Sequence, residues 1–225
     1  NTYRDTVFAF ANELSLICSK LGIDTHRVIE AANRGYERTN IPLPSPGVGG
    51  VCLEKDPFIF LESAKRAGYK PLLSGVSRKV SDLMVNFVAG ETIKFLKLAK
   101  IEKPKVLILG FAFKGKPATS DTRGSTAVKV VERLKNAGIR NINIYDPLVR
   151  LEDIESHKVR RVLNLKSGFD RANAVVVMNN NDIFKQIDIQ KFASLTSQPS
   201  LLFDTWGLYD PAEIKKVSGV IYKRL

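Results

Sequence analysis

Between residues 100 and 105 the hydrophobic period of the chain changes, and that change limits the fold more than any other feature. Upstream the apolar residues recur at helical spacing. Val7, Phe8, Phe10, Ala11, Leu14, Ile17, Cys18 and Leu21 mark one helix, which Gly22 stops; Asp24 or Thr25 caps a second through Val28, Ile29 and Ala32. A helix continues over 57–67, and the run from Leu73 through Val80, Met84 and Val88 to Leu96 predicts one extended helix over about 72–99. Downstream, Val106-Leu107-Ile108-Leu109 and Ala174-Val175-Val176-Val177-Met178 are continuous apolar runs, as in strands buried on both faces of a parallel sheet. Further strands are expected at 141–147, 159–163, 201–204 and, at an edge, near 220–222, with helices at 125–137, 182–195 and after Pro211. The expectation is an α/β chain: an all-helical part over 1–101, then a doubly wound parallel sheet over 102–225. Ligands of such sheets bind at the carboxyl ends of the strands.

Composition excludes several classes. Among 225 residues there are two Cys and two His, too few for a disulfide framework or a zinc set, and a reducing, cytoplasmic setting follows. No apolar stretch is long enough to span a membrane, and no signal peptide is present. The chain opens at Asn1 inside a helical pattern, which reads as a fragment or processed product. The formal net charge of +12 suits anionic ligands such as nucleotides or sugar nucleotides. The lysines and arginines are scattered, without the interleaved aromatics of an RNA-binding surface, so neither nucleic acid nor membrane is an expected partner. Cys18 falls on an apolar face and reads as core. Asn12 and Glu13 are polar within the first helix and are expected to face a partner subunit. The helices of 1–34 and the long helix carry more apolar surface than two thin layers hide, which predicts a homodimer built on the helical part.

The chemistry concentrates in Pro44-Ser45-Pro46-Gly47-Val48-Gly49-Gly50-Val51-Cys52-Leu53-Glu54-Lys55-Asp56-Pro57. Glycines allow the backbone to approach a ligand closely. With a helix beginning after Gly50, Cys52, Lys55 and Asp56 share one face at i, i+3 and i+4. A cysteine at a helix N-terminus beside a cation suits a nucleophile, with the carboxylate as base or water-positioner. The plainer alternative is a Gly/Pro loop followed by a packed cysteine.

The first strand ends in Gly110-Phe111-Ala112-Phe113-Lys114-Gly115-Lys116-Pro117, one residue away from a P-loop. Pro117 stands where Ser or Thr would hold magnesium, and it lacks an N–H, so ATP or GTP hydrolysis is rejected. Lys114 and Arg123, with Ser125 opening a helix, form either a diphosphate site or a capped helix with exposed cations. Asp146 ends the second strand, as a ribose acceptor or a plain Asp-Pro turn. Asp204-Thr205-Trp206-Gly207 ends a later strand, touching a ligand or only turning.

Taken in order, Asn1-x-x-Arg4-Asp5, Ala11-Asn12-Glu13-Leu14, Pro46-Gly47-Val48-Gly49-Gly50-x-Cys52-x-x-Lys55-Asp56-Pro57, Leu109-Gly110-Phe111-Ala112-Phe113-Lys114, Ser120-Asp121-x-Arg123-x-Ser125, Tyr145-Asp146-Pro147 and Asp204-Thr205-x-Gly207 resemble the UDP-glucose/GDP-mannose dehydrogenase family across nearly the whole chain. The resemblance implies a central helical dimerisation domain and a C-terminal, Rossmann-like domain that binds a UDP-sugar. The main NAD site would lie on an N-terminal domain that this sequence lacks. It further implies oxidation of a primary 6-hydroxyl to a carboxylate with two NAD, and an isolated fragment that is inactive. Cys52 matches the nucleophile, Asp56 the carboxylate that assists proton transfer, and Asn1 an oxyanion-stabilising amide. Lys55 and Arg123 match NAD-binding cations. Lys114, Ser45 and Gly49 match sugar-nucleotide ligands, and Arg38 resembles an arginine offered to a neighbouring subunit's ligand. Arg4-Asp5 and the Pro-Gly-Val-Gly-Gly form resemble the UDP-N-acetylhexosamine branch, typified by UDP-N-acetylmannosamine dehydrogenase. UDP-glucose oxidation, or a non-catalytic sugar-nucleotide-binding module, is the alternative. Trp206 departs from the pattern, where many relatives carry an arginine.

Overall fold

A computed structural model describes all 225 residues. Four helices come first: α1 (Thr2–Leu21), α2 (Thr25–Asn33), α3 (Val51–Arg66) and α4 (Leu73–Leu98). Gly22 ends α1 in the left-handed conformation (φ 69°), its N–H returning to the Cys18 carbonyl, a conformation that costs a Cβ-bearing residue about 1–2 kcal/mol. Asp24 caps α2 by accepting from the His26 and Arg27 N–H groups.

The remainder alternates strand and helix: β1 (Lys105–Leu109), α5 (Thr126–Asn136), β2 (Asn141–Tyr145), α6 (Leu151–Glu155), β3 (Arg160–Arg161), α7 (Leu165–Phe169), β4 (Ala174–Val177), α8 (Asp182–Lys185), α9 (Ile189–Ala193), β5 (Ser200–Asp204), α10 (Pro211–Ile214) and β6 (Val220–Arg224). All six strands are parallel, in the order β3-β2-β1-β4-β5-β6. The chain winds outward from β1 to β3, returns to β4 and winds the other way. The switch point therefore lies between β1 and β4, where a crevice opens at the carboxyl ends.

Each face of the sheet has its own core. On one, Ile108, Ile144, Val176 and Phe203 meet Val130 and Leu134 of α5 and Met84, Val85, Val88 and Leu96 of α4. On the other, Leu107, Leu109, Val175 and Leu202 meet Phe169, Phe184 and Ile214 from the short helices. The C-terminal part of α4 thus belongs to the sheet's own layers, while α1 and α3 pack on α4 further back. No helix is long and apolar enough to cross a membrane.

Three expectations change. The helix expected over 182–195 is two, α8 and α9, because the Asp188 carboxylate accepts the Lys191 N–H and starts a new helix. Two five-residue helices, α6 and α7, stand where none was predicted. Asn12 does not face a partner: it is buried, and its Oδ1 accepts the Ser45 N–H at 2.8 Å. Glu13, beside it, is exposed.

Candidate functional site

The site forms where the start of α3 meets the loop after β1. Gly50 ends the loop at φ 92° and offers no side chain to cap α3, leaving the positive end of a 16-residue helix without a side-chain partner. Cys52 is exposed in the first turn. Asp56 lies one turn on, with its carboxylate 3.9 Å from the Lys55 ammonium. Asn1, preceding α1, does not cap its own helix; its Nδ2 donates to Asp56 Oδ2 at 2.5 Å. The fold therefore brings Asn1 and Asp56, 55 residues apart in the chain, together beside Cys52.

Pro57 explains part of the scaffold. Lacking an N–H, it leaves the Leu53 carbonyl without its helical partner. Arg78 of α4 donates to that carbonyl at 3.1 Å, to the Val48 carbonyl at 3.4 Å and to Asp5 of α1 at 2.6 Å. This pair is nearly sealed from solvent, and Asp5 Oδ2 has no partner. Burial outweighs the pull of the Arg78 guanidinium and holds the Asp5 carboxyl above its ordinary range. Ser81 accepts the Val48 N–H at 2.8 Å. Asn12, Arg78 and Ser81 together fix the loop before Cys52. No motif named Arg78 or Ser81; their only signal in the sequence is polarity at apolar helical positions.

The glycines also make a contact within the chain. A Cβ on Gly49 would run into the Gly124 carbonyl, and one on Gly50 into the Phe113 ring at 2.7 Å. Gly50 N–H donates to Gly124 O at 3.2 Å. Backbone is pressed on backbone, docking the start of α3 against the start of α5. Glu54 of α3 and Lys129 of α5 add an ion pair across the same junction.

The other predicted residues stand as follows. The Lys114 ammonium lies 5.2 Å from the Phe113 ring centroid. Arg123 is exposed and grips Asp121 with Nε and Nη2, which holds that carboxyl below its ordinary range. Ser125 caps α5. Ser45 is buried, its hydroxyl donating to Gly47 O at 3.2 Å, so it shapes the loop from inside. Arg38 stands exposed between α2 and the loop, without an ion pair, and is not brought to the cluster.

The loop resembling a P-loop closes on β4 instead of cradling phosphate. A Cβ on Gly110 would meet the Asn179 side chain, and Gly115 N–H donates to Asn180 Oδ1 at 3.1 Å. Asp146 is the plain turn: Oδ2 accepts from Phe111 and Ala112, Oδ1 from Leu148 and Val149, so no lone pair faces a ribose. Asp204 likewise accepts from Trp206, Tyr209 and the Tyr222 hydroxyl. Burial nevertheless holds its carboxyl above the ordinary range. The Trp206 indole N–H is buried without a partner, and Gly207 packs on the His26 ring. No three His, Cys, Asp or Glu side chains gather into a metal-binding group.

A doubly wound sheet, with a Cys-x-x-x-Asp helix start docked on the loop beyond its first strand, matches a known class. The family model described as the UDP-glucose/GDP-mannose dehydrogenase family central domain matches residues 1–82. The one described as that family's UDP binding domain matches residues 107–211. The chain belongs to the UDP-glucose/GDP-mannose dehydrogenase family. It is 35% identical over 190 residues to the UDP-N-acetyl-D-mannosamine dehydrogenase of Pyrococcus horikoshii, covering 84% of this chain and 42% of that protein. It is 32% identical over 224 residues to the enzyme of the same name from Methanococcus maripaludis, covering 98% of this chain and 49% of that one. The solved UDP-D-ManNAc dehydrogenase of P. horikoshii superimposes with a TM-score of 0.83 at 30% identity, over 100% of this chain and 49% of that one. The chain thus spans about half the length of the curated relatives it matches.

Proposed function

We infer that this chain supplies the helical catalytic part (1–101) and the sugar-nucleotide-binding part (102–225) of an NAD-dependent UDP-sugar 6-dehydrogenase, with UDP-N-acetylmannosamine as substrate. The observation that carries this reading is the Asn1–Asp56 contact at 2.5 Å beside an exposed Cys52 at an uncapped helix start.

NAD, when bound, accepts the hydride in each of two oxidations, and its main site lies on a part of the enzyme outside these residues. Lys55 and Arg123 fit its phosphates: both are exposed, and each neighbours one side of the Glu54–Gly124 contact. In the first oxidation the 6-hydroxyl proton leaves to water beside Asp56; the Cys52 sulfur, its own proton passed to the same water, adds to the resulting C6 aldehyde, forming a C–S bond as the carbonyl π pair moves to oxygen. The charge gathering on the carbonyl oxygen is met by the second N–H of the Asn1 amide and by the positive end of α3. Loss of the second hydride leaves a thioester. Asp56 takes a proton from water as it attacks the acyl carbon; the C–S bond breaks, releasing the carboxylate and restoring Cys52. Lys114 holds the sugar nucleotide, and Ser45, Gly49 and their neighbours shape the loop beneath the sugar.

The apolar side chains that α1 and α4 leave exposed, among them Phe10, Ile17, Val76 and Leu83, support a homodimer through the helical part. Binding is tested by thermal unfolding with UDP. A ligand that binds only the folded state, at about 100 times its Kd, adds about 2.7 kcal/mol. The melting temperature is expected to rise with UDP and the rise to vanish in Lys114→Ala. No rise at millimolar UDP contradicts the reading.

A further inference from the structure

At the amino-terminal end of the sheet, opposite the crevice, lies a cleft of about 680 Å3. The beginnings of β1, β2 and β3 form its floor, and Lys103, Lys105, Arg160, Arg161 and Arg171 line it. One carboxylate, Asp170, is present, and it pairs only with Arg171, at 3.5 Å. Arg160, Arg161 and Lys103 have no acidic partner. The Lys105 ammonium, bonded only to the carbonyls of Ser167 (2.8 Å) and Asp170 (2.6 Å), is held below its ordinary range by burial, against the opposing pull of the Asp170 carboxylate, with Arg160 and Arg171 adding to the lowering.

Such a cluster is unfavourable without a counter-charge. Like charges repel, and Arg161 Nε is a buried donor with no acceptor. A bound oxyanion relieves both, because guanidinium groups present forked donors matched to phosphate oxygens. Amide side chains of Asn141 and Asn143 add hydrogen-bonding capacity. The lining has no aromatic ring, and its apolar residues are Val162 and Leu163. Nothing there stacks a base, so the cleft selects the charged group and not a nucleoside.

We propose that this cleft is a second anion site, taking a compact diphosphate group, free or esterified to a small sugar, at the end of the sheet remote from the sugar-nucleotide crevice. It stands independently of the dehydrogenase reading, since no residue is shared.

The test is calorimetric titration with inorganic pyrophosphate, and with phosphoribosyl diphosphate as the esterified arm, at fixed ionic strength and with saturating UDP. Submillimolar binding of either is expected, weakened at least tenfold in Arg161→Gln. Because Arg161 is partly buried, Lys103→Gln/Arg160→Gln, both exposed, is measured as well and is expected to weaken binding equally while leaving the melting temperature of the free protein unchanged. Lys185→Gln/Lys191→Gln removes the same charge elsewhere and is expected to change nothing. Binding by pyrophosphate identifies the free ion as sufficient; binding by the ester alone assigns the site to an esterified ligand. The proposal is overturned if neither binds, if UDP displaces the ligand, or if the control pair weakens binding as much as the cleft variants.

Discussion

Asp56 is held by two neighbours of opposite use. Asn1 donates to one of its oxygens at 2.5 Å, and Lys55 stands 3.9 Å from the other. The amide fixes the carboxylate's direction. In the proposed reaction Asp56 acts late, as the base when a thioester on Cys52 meets water. Asp56→Asn in the whole enzyme is therefore expected to slow acid release by about 10²–10⁴-fold. The acylated protein should accumulate and be visible by intact mass; unchanged turnover would remove Asp56 from the chemistry. This cluster was legible because its spacing follows from helix geometry alone: Cys52, Lys55 and Asp56 share a face whatever the tertiary context. Asn12 was not legible. A polar residue within an apolar helical run reads as facing a partner subunit, and only the chain's return at Ser45 gives it a partner inside the chain. Asp146 and Asp204 were open between ligand and turn, and counting the donors around each carboxylate decided for the turn.

At the scale of elements, the decisive contact is between two helix starts. α3 and α5 approach so closely that Gly49, Gly50 and Gly124 are pressed against backbone or ring, with Glu54 and Lys129 paired beside them. Gly124 sits at φ 65°, and its missing Cβ leaves the room occupied by the Glu54 carboxylate and Gly50 N–H. Gly124→Ala is expected to cost at least about 1–2 kcal/mol from backbone conformation alone. Displacement of Glu54 should add to that. Urea unfolding measures the loss, and a variant as stable as the parent would deny that this junction is tight. The glycines were visible in the sequence, but their use was not, because a long-range backbone contact has no local signature. The strands and the long helix were legible from period alone. The division of 182–195 into α8 and α9 was not, since Ile187 and Ile189 keep the run apolar across the break.

Over the whole molecule, α4 and the end of the chain tie the helices to the sheet. The far part of α4 lies in the sheet's core, Lys223 of β6 pairs with Glu91 of α4, and Arg224 pairs with Asp24 at the start of α2. His26 sits in this seam against Gly207, its Nε2 buried without a partner. Burial, and then the Arg224 charge, push the imidazole below its ordinary value of 6.5, against the opposing pull of Asp24. The folded state thus prefers neutral His26. As pH falls below 6.5 the unfolded chain takes up the proton first, so stability drops until the folded-state value is passed. The slope contributed by one such group cannot exceed about 1.4 kcal/mol per pH unit. Denaturant midpoints between pH 7.5 and 5.5 should fall for the parent and flatten in His26→Gln. Equal slopes would place the acid sensitivity elsewhere.

The central claim is that Cys52 carries the sugar's carbon between the two oxidations. It is tested most directly by Cys52→Ala in the whole enzyme, incubated with UDP-N-acetylmannosamine and NAD, with the products resolved by mass spectrometry. The account predicts that no uronic acid forms while UDP still raises the melting temperature as in the parent. Uronic acid produced at the parent's rate would contradict it.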